Sequence, residues 1–146
     1  MAPHSINRDT KMAFMNQELK AELAPNIKAV LKKYDVKGTI SVRSHMVLVV
    51  NIKSGKLDIL ENWFNKTKHD PYYNDRIIEK PKCLQVSQHW IENHFTGKVK
   101  EFFTELFQAM KGNKWYDNSD IQVDYFDTAY YMDVNVGQWD KPYEYQ

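Results

Sequence analysis

Five histidines, one cysteine and a row of aspartates are the residues of this 146-residue chain whose chemistry reaches beyond packing. The histidines are His4, His45, His69, His89 and His94. His89 and His94 stand five apart on a predicted helix and so fall on different faces, whereas two imidazoles that share a metal are four apart. His45 sits in a predicted turn, where a histidine is normally solvated. Cys83 has no second cysteine with which to form a disulfide or a zinc cluster. Beside Leu84-Gln85-Val86 it reads as a small buried hydrophobe, since a nucleophile would need a histidine and an orienting carboxylate around it. No Gly-x-Ser-x-Gly elbow, phosphate-cradling loop or dinucleotide fingerprint occurs, and the five glycines stand singly. The expectation is a protein without catalytic residues, metal or cofactor, and hence a binding protein.

The aspartates are the distinctive feature. Asp117, Asp120, Asp124 and Asp127 recur every three or four residues through Trp115–Asp127, with Tyr125 among them. The run begins like a calcium loop, but Gln122 and Thr128 stand where that loop needs its glycine and its glutamate. Two readings remain open. Asp and Asn form the turn before a strand, or a carboxylate row with interleaved rings presents phosphate-like charge to a basic groove. Charge is divided along the chain: residues 1–116 hold 19 Lys or Arg against 12 Asp or Glu, and residues 117–146 hold one Lys against seven acids. A net charge of +1 thus hides a basic body and an acidic, tyrosine-rich end. The candidate partner-binding surface is Asp117, Asp120, Asp124, Tyr125, Asp127, Tyr130, Tyr131 and Trp139. The competing reading is nucleic-acid binding by the lysine-rich body, with Lys53, Lys56, Lys66 and Lys68 around Trp63. A pI near 7.8 and only three arginines speak against it.

The elements that must position these residues follow from periodicity. Residues 1–10 carry none and read as a flexible lead to one α+β domain over 11–146. From Phe14, apolar residues at Leu19, Leu23, Ile27, Val30, Leu31 and Tyr34 mark a helix, which Pro25 either kinks or divides. Alternation then predicts strands over Thr39–Arg43 and Met46–Lys53, joined at Ser44-His45 as a hairpin. Leu57–Lys66 reads as a short amphipathic helix, Thr67–Pro81 as a long polar loop, and Cys83–Val86 as a short strand. A continuous stripe from Ile91 to Met110 predicts one long helix over about Gln88–Lys111, with Gly97 inside it at a cost of about 1 kcal/mol relative to alanine. Ile121–Phe126 and Tyr130–Val136 alternate as a second hairpin, and Trp139–Gln146 trail behind. The predicted architecture is an antiparallel sheet of four or five strands packed against two main helices. The polar start and the absence of a long apolar run predict a cytoplasmic protein with no membrane association, a monomer or a homodimer.

Gly38-Thr39-Ile40-Ser41-Val42-Arg43-Ser44, the helix before it, and the aromatic-acidic end with Gly137-Gln138-Trp139-Asp140-Lys141-Pro142-Tyr143 resemble large polyvalent protein-associated domains. These are small domains encoded by bacteriophages and plasmids. The likeness spans about residues 16–60 and 90–143, and the Thr67–Pro81 loop departs from it. It implies an accessory protein of a mobile element, acting in the cytoplasm of the bacterial host. There it would inhibit a CRISPR or restriction system by binding a host protein or complex, without catalytic residues.

Overall fold

A computed structural model describes residues 13–68, 70, 79–113, 115–118 and 128–146. The proposed N-terminal lead lies outside these residues.

Helix α1 (Gln17–Lys33) starts where Asn16 accepts a hydrogen bond from the Leu19 amide at 2.8 Å, a side-chain cap on an otherwise orphan donor. Phe14 therefore precedes the helix instead of beginning its stripe. Pro25 lies inside one unbroken α1, where its missing N–H removes the usual bond to the Ala21 carbonyl. Strands β1 (Val36–Arg43) and β2 (Val47–Gly55) form the expected antiparallel hairpin, with Ile40 opposite Val50 and Arg43 opposite Val47. Its turn places both Ser44 and His45 at φ 56°, the left-handed region a tight hairpin turn demands and side-chain-bearing residues resist. Helix α2 (Ile59–Thr67) and strand β3 (Leu84–Val86) lie close to their predicted positions.

The predicted long helix is divided. A 3-10 turn (Gln88–Trp90) runs into the one-turn helix α3 (Ile91–His94), Phe95 and Thr96 are extended, and α4 spans Gly97–Lys111. Gly97 adopts φ +58°, and a side chain there would meet nothing within 4 Å, so the glycine serves conformation and not space. Asn62 of α2 holds the break, accepting from the Thr96 amide at 3.0 Å and donating to the Thr96 carbonyl at 3.2 Å. The apolar stripe survives because Ile91, Phe95, Val99, Phe102, Phe103, Leu106, Phe107 and Met110 are all buried in one core with Leu23, Ile27 and Leu31 of α1.

Strands β4 (Tyr131–Val136) and β5 (Glu144–Tyr145) complete an α+β fold whose five-stranded sheet has the order β1-β2-β4-β3, with β5 beside the end of β2. The sheet is mixed. Pair β1–β2 is antiparallel as predicted and β3 also pairs antiparallel with β4, but β4 and β5 both run parallel to β2. A parallel neighbour needs a long crossover, and here the helices between β2 and β4 supply it. Ile121–Phe126, the first arm of the proposed second hairpin, lies outside the described residues. The C-terminal segment does not trail: Tyr143 is buried with its hydroxyl donating to the Leu57 carbonyl at 2.7 Å. One sheet face, carrying Leu48, Val50, Ile52, Val134 and Val136, joins the core. The opposite face carries Ser41, Arg43, Asn51, Tyr131, Asp133 and Asn135.

Candidate functional site

The acidic segment springs from a closed neck. Asp117 and Thr128 form an antiparallel bridge, the Ala129 amide donates to the Tyr116 carbonyl at 2.9 Å, and the Trp115 indole donates to the Tyr130 carbonyl at 2.8 Å. Asp120, Asp124, Tyr125 and Asp127 belong to the segment joining the two sides of this neck and lie outside the described residues.

Two other stretches of chain, residues 14–15 and 45–46, meet the neck. The Phe14 amide donates to the Ala129 carbonyl at 2.9 Å, the Met15 amide to the His45 carbonyl at 2.7 Å, and the Tyr131 amide to the Met46 carbonyl at 2.9 Å. These bonds gather Phe14, Met46, Tyr116 and Tyr131 at one end of the sheet. All four are large and exposed, Phe14 at 56% and Tyr131 at 45%. Rings and a thioether left in water together are what a contact surface carries, whereas isolated ones need no explanation. A cleft of about 510 Å³ opens beside them, with Asp117 and Tyr131 in its wall along with Trp115, Gln85 and His89.

The sequence-predicted residues are thereby divided. Asp117 and Tyr131 lie at this end and are exposed. Tyr130 is buried, at 3% exposure, and its hydroxyl donates to the last carbonyls of α4, 2.5 Å from Met110 O and 2.9 Å from Lys111 O. Burial raises its phenol to about 12. Tyr130 therefore positions the surface and is not part of it. Trp139 is the most exposed large ring among the described residues but follows the far end of β4. The strand alone separates it from Tyr131 by about 17 Å at the usual rise.

Phe14 and Met46 were not singled out by sequence reasoning, and Tyr116 entered it only as part of Trp115–Asp127. Phe14 and Met46 each stand at the edge of a periodic run, where an apolar residue looks like the first member of a buried face. For Tyr130 the signal was present, since it alternates in phase with Met132, Val134 and Val136, the core-facing set.

Charge at the site is partly consumed. Asp133 is buried on the sheet face opposite the helices, with one oxygen 2.7 Å from Arg43 Nη1 and the other 2.6 Å from Gln85 Nε2. This acid of the C-terminal segment thus ties β1 and β3 to β4. A few lysines of the basic body are likewise engaged: Lys33 pairs with Glu105 at 2.8 Å, Lys100 with Glu92 at 3.2 Å and Lys80 with Glu61 at 3.7 Å, while Lys68 lies over the Phe64 ring. Trp63 packs against the core and meets His94 edge-on, so it is no free stacking platform for the neighbouring lysines. His94 also stacks on Trp90, and burial draws its pKa below the ordinary 6.5, with Asp70 opposing. Hydrogen bonds from Lys33 and from the Tyr34 hydroxyl lower the Glu105 carboxyl, and the same carboxylate raises Tyr34 to about 12.

Among the described residues no group of three or more His, Cys, Asp or Glu is placed to hold a metal ion, and no helix is long and apolar enough to cross a membrane. No protein-family model, curated protein or solved structure matches the chain.

Proposed function

We propose that this chain is a non-enzymatic binding domain that docks onto a host protein or protein complex through the end of the sheet around Asp117 and Tyr131. The supporting observation is the gathering of exposed Phe14, Met46, Tyr116 and Tyr131 at the neck from which the aspartate-rich segment departs. An apolar centre beside carboxylates suits a partner whose own surface is basic, because rings supply the buried contact and opposite charge supplies steering. Nucleic-acid-binding enzymes carry such surfaces. Together with the resemblance to phage and plasmid accessory domains, this supports a mobile-element protein that blocks a CRISPR or restriction complex in the host cytoplasm by occupying the groove meant for nucleic acid.

The test uses bacteria that carry a CRISPR or restriction system and express the chain, with plating efficiency of a targeted phage as the readout. Expression is expected to restore plating, and the purified chain to inhibit cleavage of target DNA by the corresponding complex. Asp120→Lys, Asp124→Lys and Asp127→Lys together, or Tyr131→Ala with Met46→Ser, are expected to abolish both effects with circular dichroism unchanged. Full inhibition by both variants removes this surface from the function. A steeply salt-dependent shift of DNA by the wild-type chain alone would instead favour nucleic-acid binding by the lysine-rich body.

A further inference from the structure

Trp139 has no part in the surface described above, and its surroundings are built independently. The four residues Gln138, Trp139, Asp140 and Lys141 form a tight turn closed by reciprocal bonds, Gln138 N–H to Lys141 O at 2.8 Å and Lys141 N–H to Gln138 O at 3.1 Å. The turn is fixed on both sides. Before it, the Gly137 amide donates to the Ile52 carbonyl at 2.8 Å. After it, Tyr143 is buried with its hydroxyl on Leu57 O, and β5 pairs with β2. Gly137 has φ +71°, and a Cβ there would stand 2.5 Å from the Tyr143 amide nitrogen, so the two ends of the turn are in van der Waals contact. A rigid turn thus holds an indole that is 84% exposed. A ring carried on a backbone that is already fixed leaves a ligand less ordering entropy to supply when it binds.

Two depressions border this turn, at the carboxyl ends of the parallel strands β2 and β4, the position where ligands bind many sheets with parallel strands. One, of about 500 Å³, has Lys53, Lys141, Asp140 and Glu144 around Asn51 and Gln138. The other, of about 370 Å³, runs on from the same Asn51, Gln138 and Asp140 to Asn135, Gln85 and Trp139. Beside the shared carboxylate of Asp140, the polar groups common to the groove are carboxamides, each of which both donates and accepts. Asn135 donates to Asn51 at 3.0 Å, which aligns two of them across the strands. Two cations and two carboxylates surround the larger depression, and none of them takes part in an ion pair among the described residues.

We infer that this groove binds a neutral oligosaccharide, with one sugar ring lying on the Trp139 indole. A pyranose offers an apolar C–H face to a flat aromatic ring and hydroxyls that donate and accept at its edge, which matches one indole bordered by carboxamides and carboxylates. The equal numbers of lysines and acids disfavour a phosphodiester chain, which needs a surplus of cations along its path.

The experiment follows the four tryptophan indole N–H signals of the intact chain by NMR, with the Trp139 signal identified by its loss in Trp139→Ala. Chitotriose, cellotriose, maltotriose and a six-nucleotide oligothymidylate are titrated separately. A saturable shift of the Trp139 signal by at least one trisaccharide, and by none of the others as strongly as by it, is expected. Affinity measured by calorimetry is expected to fall about tenfold or more in Trp139→Ala, and also in Gln138→Ala with Asp140→Asn, with thermal stability unchanged because these side chains are exposed. Absence of a saturable response to all three sugars overturns the inference, as does wild-type affinity in Trp139→Ala. Tighter binding of the oligothymidylate than of any sugar overturns it in favour of a nucleic-acid groove. None of these outcomes depends on the phage-plating assay, which reports on the other end of the sheet.

Discussion

Replacing Tyr130 with phenylalanine removes one oxygen and leaves the ring in place. The hydroxyl caps the C-terminus of α4, where Met110 and Lys111 are among the last carbonyls and have no intrahelical donor. One buried hydrogen bond is worth about 1 kcal/mol net, and a carbonyl stranded without a donor costs about 1–3 kcal/mol. A loss of about 2 kcal/mol is therefore expected. For a chain of this length each kcal/mol lowers Tm by about 2–4 °C, so Tyr130→Phe is expected to melt about 4–8 °C below wild type. The urea midpoint should move by the equivalent amount with an unchanged slope. Tyr130→Ala adds the cavity of a ring that is 3% exposed, for a total of about 3–5 kcal/mol. Against a usual domain stability of about 5–15 kcal/mol, the first variant stays folded and the second is marginal. Partner binding measured well below Tm is expected to survive Tyr130→Phe and to be lost in Tyr131→Ala. A Tyr130→Phe protein within 0.5 kcal/mol of wild type, on the order of half of one net hydrogen bond, would refute the capping argument. Loss of binding in that folded variant would refute its purely positioning role.

The hairpin turn offers the opposite sign: Ser44→Asn with His45→Gly relieves two left-handed residues and is expected to stabilise by about 1 kcal/mol, read from the urea midpoint. Gly38→Ala would bring a methyl within 2.5 Å of the Asn51 carbonyl oxygen across the β1–β2 pair, and overpacking of backbone against backbone is expected to cost about 1–3 kcal/mol in the same assay. His94 is expected to titrate below 6.5 by NMR. Its neutral form is favoured by folding, so the unfolded chain binds more protons in the window just below 6.5. Stability should fall as pH drops through that window and level off below the folded-state value, and His94→Phe should flatten the fall. A His94 signal titrating at or above 6.5 would contradict this.

Local pattern carried the elements well where the partner of a strand was its neighbour in sequence. Alternation located β1 and β2 within three residues, and the turn residues between them, because a hairpin is a local object. Nothing local records that β4 lies parallel to β2, since that pairing joins Val50 to Val134 across the whole helical half of the chain. The α3–α4 break was hidden for a different reason. Phe95 and Val99 keep their four-residue spacing through it, and burial alone does not reveal that Thr96 is extended and Gly97 left-handed. At the proposed site, composition pointed to the stretch around the neck, where Asp117 and Tyr131 face solvent. What composition lacks is direction: adjacent tyrosines at 130 and 131 have opposite fates because a strand sends successive side chains to opposite faces. Phe14 and Met46 join the site only through backbone bonds to Ala129 and Tyr131, more than eighty positions away in sequence.

The order β1-β2-β4-β3 places β4, which follows β1, β2 and β3 along the chain, in the interior of the sheet. Until residue 136 has left the ribosome, β2 and β3 have no common neighbour, and the flank of β2 rich in valine and isoleucine stays open to any passing strand. Folding of this domain must therefore wait for β4, with a late docking step that spans long loops and is slow for that reason. A nascent chain halted before β4 is the species most prone to aggregate, and a peptide of residues 128–146 added in trans is the natural agent to rescue it.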